Sequence, residues 1–159
     1  MIVKSQQNRI ELVTRPGHLQ SGPPDRERLS LESLAEVTEA LLEIMEICSG
    51  CIQNCQWLTQ WTCFARSFAL RYNPALQPRG LVVFGCIAKS ITDHEVKQLL
   101  RILFKALETF SDINLIEAIV MCLTRLQPLL RPESPIHKAL FWVSISILQV
   151  WPIFCLSFL

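Results

Sequence analysis

The stretch SITDHEVKQLLRILFKALETF, residues 90–110, carries the pattern on which the fold reading rests. Thr92 followed three residues later by Glu95 is a capping-box signature, in which hydroxyl and carboxylate each satisfy a backbone N–H that the first turn of a helix leaves free. Beyond it Val96, Leu99, Leu100, Leu103, Ala106, Leu107 and Phe110 recur at intervals of three and four, so at 3.6 residues per turn they share one face. The segment reads as an amphipathic helix.

The same signals repeat in both directions. Toward the C-terminus, Asp112 or Asn114 can cap a fifth helix with Leu115, Ile116, Ile119, Val120, Leu123 and Leu126 on its buried side, and Ser134-Pro135 opens a sixth at IHKALFWVSISILQ. Toward the N-terminus, Pro78 opens a third helix through RGLVVFGCIAK. Before that, Trp57, Leu58, Trp61, Phe64, Ala65, Phe68 and Tyr72 keep helical period until Asn73-Pro74, giving a second helix with an aromatic buried face. The spacing predicts a first helix over 33–48, capped by Ser33 with Glu36, buried through Leu34, Val37, Leu41, Ile44, Met45 and Cys48, and ending at Ser49-Gly50. No sustained strand alternation bounded by hairpin turns occurs between 33 and 135, so the expected class is all-α.

Six short helices with short connections suggest three antiparallel pairs, stacked as an α-solenoid of the HEAT or armadillo kind. Internal repetition is faint: QPRGLVVFG and SPIHKALFW both place a proline six residues before a phenylalanine, Pro78 to Phe84 and Pro135 to Phe141. That pattern by itself does not separate a solenoid from a compact bundle.

At 159 residues the chain suits one domain with a real core. Half its residues are apolar, and its 15 basic and 14 acidic side chains nearly cancel, which leaves no electrostatic footprint for nucleic acid. Residues 1–28, broken by Pro16, Gly17, Gly22, Pro23 and Pro24, read as a disordered leader before a helical segment over 29–149. Seven cysteines, without an N-terminal apolar run of the secretory kind, point to a cytoplasmic chain with reduced thiols.

The constellations that could carry chemistry are few. Cys48, Cys51 and Cys55 lie at intervals of three and four with Cys63 eight residues on, which raises a zinc site or a redox pair. A structural zinc site usually draws ligands from two separated knuckles, and the redox C-x-x-C normally opens a helix after a strand, whereas this one closes a helix. Buried small side chains and incidental thiols are the expected reading. His94 in TDHE lies between Asp93 and Glu95, which suit the positive end of a helix dipole, and His18 and His137 have no partner at ligand spacing. The row Trp57, Trp61, Phe64 and Phe68 could stack bases, but only Arg66 and Arg71 are near, so helix core is expected. No phosphate loop, nucleophile elbow or HExxH occurs, so no catalytic, cofactor-binding or metal-binding residue is assigned and the chain is not expected to be an enzyme by itself.

Residues 139–159, ALFWVSISILQVWPIFCLSFL, are uncharged and long enough for the core of a bilayer, with Lys138 before them. Gln149, Pro152 and three serines dilute the run. A tail-anchored membrane protein with a cytosolic helical domain is therefore the alternative reading.

The segments LESLAEVTEALLEIMEIC, CQWLTQW, RYNPALQPRGLVVFGCIAK, KQLLRILFKALE, LIEAIV, LTRLQPLL and SPIHKALFWVSISILQ together resemble, in order, a segment of the neurofibromin family of Ras GTPase-activating proteins, from about Leu31 to Gln149. The resemblance implies a piece of the helical-repeat region that follows a lipid-binding CRAL-TRIO-like and pleckstrin-homology-like module. The GTPase-activating domain with its arginine finger has no counterpart here, so any link to Ras is through the family and not through this segment. It also implies cysteine at the positions of Cys48 and Cys55 and acidic residues at those of Cys51 and Cys63, which argues against a four-cysteine site. The first 22 residues depart from the family, the connection at TFSDINLIEA is shorter, and VWPIFCLSFL, residues 150–159, replaces a more polar, acidic stretch, as a shortened transcript or a reading frame running past an exon boundary would. The expected role is a non-catalytic scaffold segment of a negative regulator of Ras signalling. Its expected partners are proteins, either adjoining helical repeats or a dimer partner.

Overall fold

The computed structural model describes residues 29–52, 55–109 and 112–157, the last eight of these by their backbone alone. The leader, Phe110 and the end of the apolar tail lie outside the described residues. Within them the chain is all-helical: α1 (Leu31–Ser49), α2 (Trp57–Leu70), α3 (Gln77–Ile87), α4 (Asp93–Thr109), α5 (Ile113–Leu126), a 3₁₀ turn (Gln127–Leu129) and α6 (Ile136–Ser157).

The capping box that opens α4 forms as expected. The Glu95 carboxylate accepts from the Thr92 N–H at 2.9 Å and from its hydroxyl at 2.7 Å, and the Thr92 hydroxyl oxygen accepts from the Glu95 N–H at 3.3 Å. Asp112, rather than Asn114, caps α5 by accepting from the Leu115 N–H at 3.0 Å. Ser134 serves α6, its hydroxyl oxygen accepting from the Ile136 N–H at 3.2 Å while its hydroxyl donates to Asp93 at 2.8 Å. That second bond ties the starts of α4 and α6 together. The backbone of α6 continues past Gln149 and through Pro152, further than the periodic pattern predicts.

At the other end the cap is displaced. Ser30, not Ser33, accepts from the Ser33 N–H at 3.1 Å, and α1 begins two residues earlier than 33. Its buried face is rotated as well: Ala35 and Thr38 point inward, while Val37, Leu41, Ile44 and Cys48 are exposed. The physical reason is approach distance. Small side chains at 35 and 38 let α1 settle on α3, and the Thr38 hydroxyl is satisfied locally by donating to the Leu34 carbonyl at 2.7 Å.

Helix α3 is the centre of the molecule, with its most extensive contacts to α2 and α5 and a further set to α1. Leu81, Val82, Phe84 and Ile87 are all but inaccessible to solvent, and they meet Leu99 and Leu103 of α4 and Ile119, Cys122 and Leu126 of α5 in one cluster. Two glycines make this packing possible. A Cβ on Gly80 would lie 2.7 Å from Phe68 Cβ, and one on Gly85 would lie 3.0 Å from Cys122 Cα. Glycine inside a helix costs about 1 kcal/mol relative to alanine, a loss offset here by backbone approach that no larger residue permits.

Candidate protein-interaction surface

The residues singled out for chemistry do not converge. Among the described residues no group of three or more His, Cys, Asp or Glu side chains is placed to hold a metal ion. Cys48, Cys51, Cys55 and Cys63 are exposed, so the expectation of buried small side chains does not hold for them. Cys86 is half-buried and Cys122 wholly so; burial raises both thiols, that of Cys122 to about 12. His94 is exposed, with Asp93 and Glu95 on either side engaged by Ser134 and Thr92. His137 Nε2 lies 3.0 Å from the Arg131 carbonyl. His18 falls outside the described residues.

What the fold does assemble is a set of charged contacts that sequence spacing could not pair. Glu39 of α1 accepts two hydrogen bonds from Arg125 of α5, at 3.2 and 3.0 Å, and its same oxygen takes the Cys86 thiol of α3 at 3.8 Å. Glu46 of α1 pairs with Lys89 just after α3. Arg66 of α2 holds Nε 2.9 Å from Glu95 of α4, close in charge although not aligned as a hydrogen bond, and its guanidinium stands 5.6 Å over the Phe84 ring. At the start of α1, backbone and Ser30 hydrogen bonding hold the Glu32 carboxyl below its usual range. Glu117 of α5 is raised by partial burial and by the neighbouring Glu32.

Around these contacts the surface is strongly apolar. Val37, Leu41, Ile44 and Ile47 form an exposed stripe on α1, with Ile47 76% accessible. On α2 the aromatic row divides: Trp61 packs against the core and lies 5.8 Å from Trp57, but Phe64 and Phe68 face outward, Phe64 at 64%. The expectation that the whole row is core is thus corrected, because Ala65 and Ala69 take the buried positions and allow α3 to come close. On α6, Phe141, Trp142 and Leu148 are exposed. Phe141, with Leu140, Val143 and Ile147 of α6, Leu103 of α4 and Val120 and Leu123 of α5, lines an open cleft of about 400 Å³. Phe104 of α4 and Ile113 and Val120 of α5 are exposed as well, so among the described residues every α-helix except α3 presents a large apolar side chain to solvent.

No protein-family model matches the chain. Among the described residues no helix is long and apolar enough to cross a membrane; the side chains from 150 to 159, about half of the candidate tail, lie outside the described residues.

Proposed function

We propose that the chain is a non-catalytic scaffold segment of a neurofibromin-like regulator of Ras signalling, built as a HEAT or armadillo-like solenoid. The observation that carries the solenoid reading is the direction of the contacts. As α3 runs forward its partners on α2 run backward: Gln77 donates to the Ala69 carbonyl, Gly80 meets Phe68, and Phe84 lies under Arg66. By contrast α1 and α3 run the same way, through Leu29 with Arg79, Glu39 with Cys86 and Glu46 with Lys89. The starts of α1, α3 and α5 line one cleft together, and the starts of α4 and α6 meet through Asp93 and Ser134. Like-directed α1, α3 and α5, and like-directed α4 and α6, are what stacked antiparallel pairs would produce, with α2 joining the second layer in this reading. In this frame α2 with α3 and α4 with α5 are the pairs, and α1 and α6 belong to flanking ones.

The outward stripes of α1 and α6 then serve contact with adjoining repeats or with a dimer partner. The Ras connection rests on the sequence resemblance, which runs through α1 to α6 up to Gln149.

The test is association of the full chain with the helical-repeat region of a neurofibromin-family protein, measured by sedimentation beside a Leu41→Glu, Phe141→Glu variant. Binding by the parent chain that falls at least about tenfold in the variant is expected. Equal binding by both, or none by either, overturns the reading. The membrane-anchor alternative draws on the helical backbone continuing uncharged from Ala139 to Ser157. Flotation with lipid by the full chain and not by a version ending at Gln149 would favour it.

A further inference from the structure

The four thiols exposed among the described residues are not equivalent. Cys48 closes α1, and the N–H of Cys51 donates to the Cys48 carbonyl at 3.0 Å, with the next bond, Ile52 N–H to the Ser49 carbonyl at 3.1 Å, repeating the same three-residue step. The end of α1 is therefore wound as a 3₁₀ turn, in which side chains three apart eclipse one another. Such a turn brings the first and fourth Cα atoms within about 7 Å, and a disulfide spans roughly 4.4–6.8 Å between Cα atoms. Gly50, between them at φ −61° and ψ −21°, adds no side chain to obstruct closure; a Cβ there would meet only the Ile47 carbonyl, at 3.5 Å.

We infer that Cys48 and Cys51 form a reversible intrachain disulfide, a thiol-oxidation site at the C-terminal turn of α1. Cys55 and Cys63 are exposed as well, but among the described residues no backbone hydrogen bond closes a turn between them or to the first pair. Cys86 and Cys122 are withdrawn from reaction by burial, and Cys86 by its bond to Glu39 as well. The oxidant is a low-molecular-weight disulfide. One cysteine thiolate attacks it, the small S–S bond breaks, and one small thiol leaves with the proton that the cysteine gave up. The second cysteine then attacks the protein sulfur of the mixed disulfide, forming the Cys48–Cys51 bond and releasing the second small thiol. Two protein thiols are oxidised and one small disulfide is reduced to two thiols. The closed ring would fix the last turn of α1, next to Ile47. This inference does not rest on the scaffold reading and can stand or fall without it.

The experiment treats the full chain with excess oxidised glutathione, quenches in acid, and maps the cysteines by peptide mass spectrometry, natively and in denaturant. The native product expected is the Cys48–Cys51 disulfide, exceeding glutathione adducts at those two positions by about tenfold. In Cys48→Ser and Cys51→Ser variants the remaining thiol stops at the adduct. A several-fold fall in the preference in denaturant shows that the turn creates it. Comparable adducts on all four exposed cysteines, predominant bridges to Cys55 or Cys63, or a preference undiminished in denaturant would each overturn the proposal.

Discussion

Gly80 and Phe68 touch backbone to backbone: the Cβ that alanine would add at position 80 falls 2.7 Å from Phe68 Cβ, 3.0 Å from its carbonyl carbon and 3.1 Å from the Ala69 nitrogen. None of these atoms is the end of a flexible side chain, so α2 and α3 must move apart. Gly80→Ala, which would ordinarily favour a helix, is expected to destabilise the chain by about 1–3 kcal/mol. Urea denaturation should show a lowered midpoint; an unchanged or raised one would mean that the two helices are not packed this closely.

The cap of α4 offers a smaller and cleaner effect. Thr92→Ala removes the hydroxyl that both gives and accepts a hydrogen bond with Glu95, and a loss of about 1 kcal/mol is expected. Thr92→Ser should recover most of it in the same thermal melts. Equal melting of the alanine and serine variants would contradict the role given to the hydroxyl.

Truncation in the centre should be severe. Leu81 is inaccessible to solvent and lies on the helix that α1, α2 and α5 all contact. Leu81→Ala should cost about 2–5 kcal/mol, whereas Leu41→Ala on the exposed stripe of α1 should cost well under about 1 kcal/mol. Circular dichroism of the two variants side by side separates core from surface, and similar losses would mean that the α1 stripe is covered.

At alkaline pH the buried Cys122 thiol becomes a liability. Its folded-state value is raised from 9.0 to about 12 by burial, so between these values the unfolded chain gives up a proton that the folded chain keeps. The unfolded state then binds fewer protons, and stability falls as pH rises, by at most about 1.4 kcal/mol per unit. Below the ordinary thiol value the contribution is absent. Cys122→Ala should show a shallower decline between pH ~9 and ~11 when unfolding free energy is followed by guanidinium titration; parallel declines would remove Cys122 as the cause.

The pattern of apolar spacing in α4 names its buried face from Val96 to Ala106, and in α5 it finds Ile116, Ile119, Leu123 and Leu126 but assigns Val120, which is exposed, to the core and passes over the small Ala118 and Cys122, which are buried. It fails on α1 and α2 for a common reason. Both sequences carry two adjacent apolar stripes, one of large and one of small residues. The fold buries the small one, Ala35 with Thr38 and Ala65 with Ala69, because α3 must lie close to it. Hydrophobicity alone ranks Phe64 above Ala65; only the separation of the helix axes reverses that order. The charged contacts were hidden for a different reason. Glu39 and Arg125 are 86 residues apart, and nothing local marks them as partners. The surface proposed for interaction consists largely of the residues that spacing assigns to the core, so the interior and the interface share one signature in the sequence.

Helix α6 is the longest helix among the described residues and one of the least anchored, its principal helix contact being a small one with α4. A load applied at the C-terminus would therefore peel α6 away turn by turn, as a strip is peeled from a surface. The same load reaching α3 would shear three interfaces at once. Extension from that end should begin with a soft, early yielding event followed by one stiff rupture, which gives the protein a mechanical direction as well as a structural one.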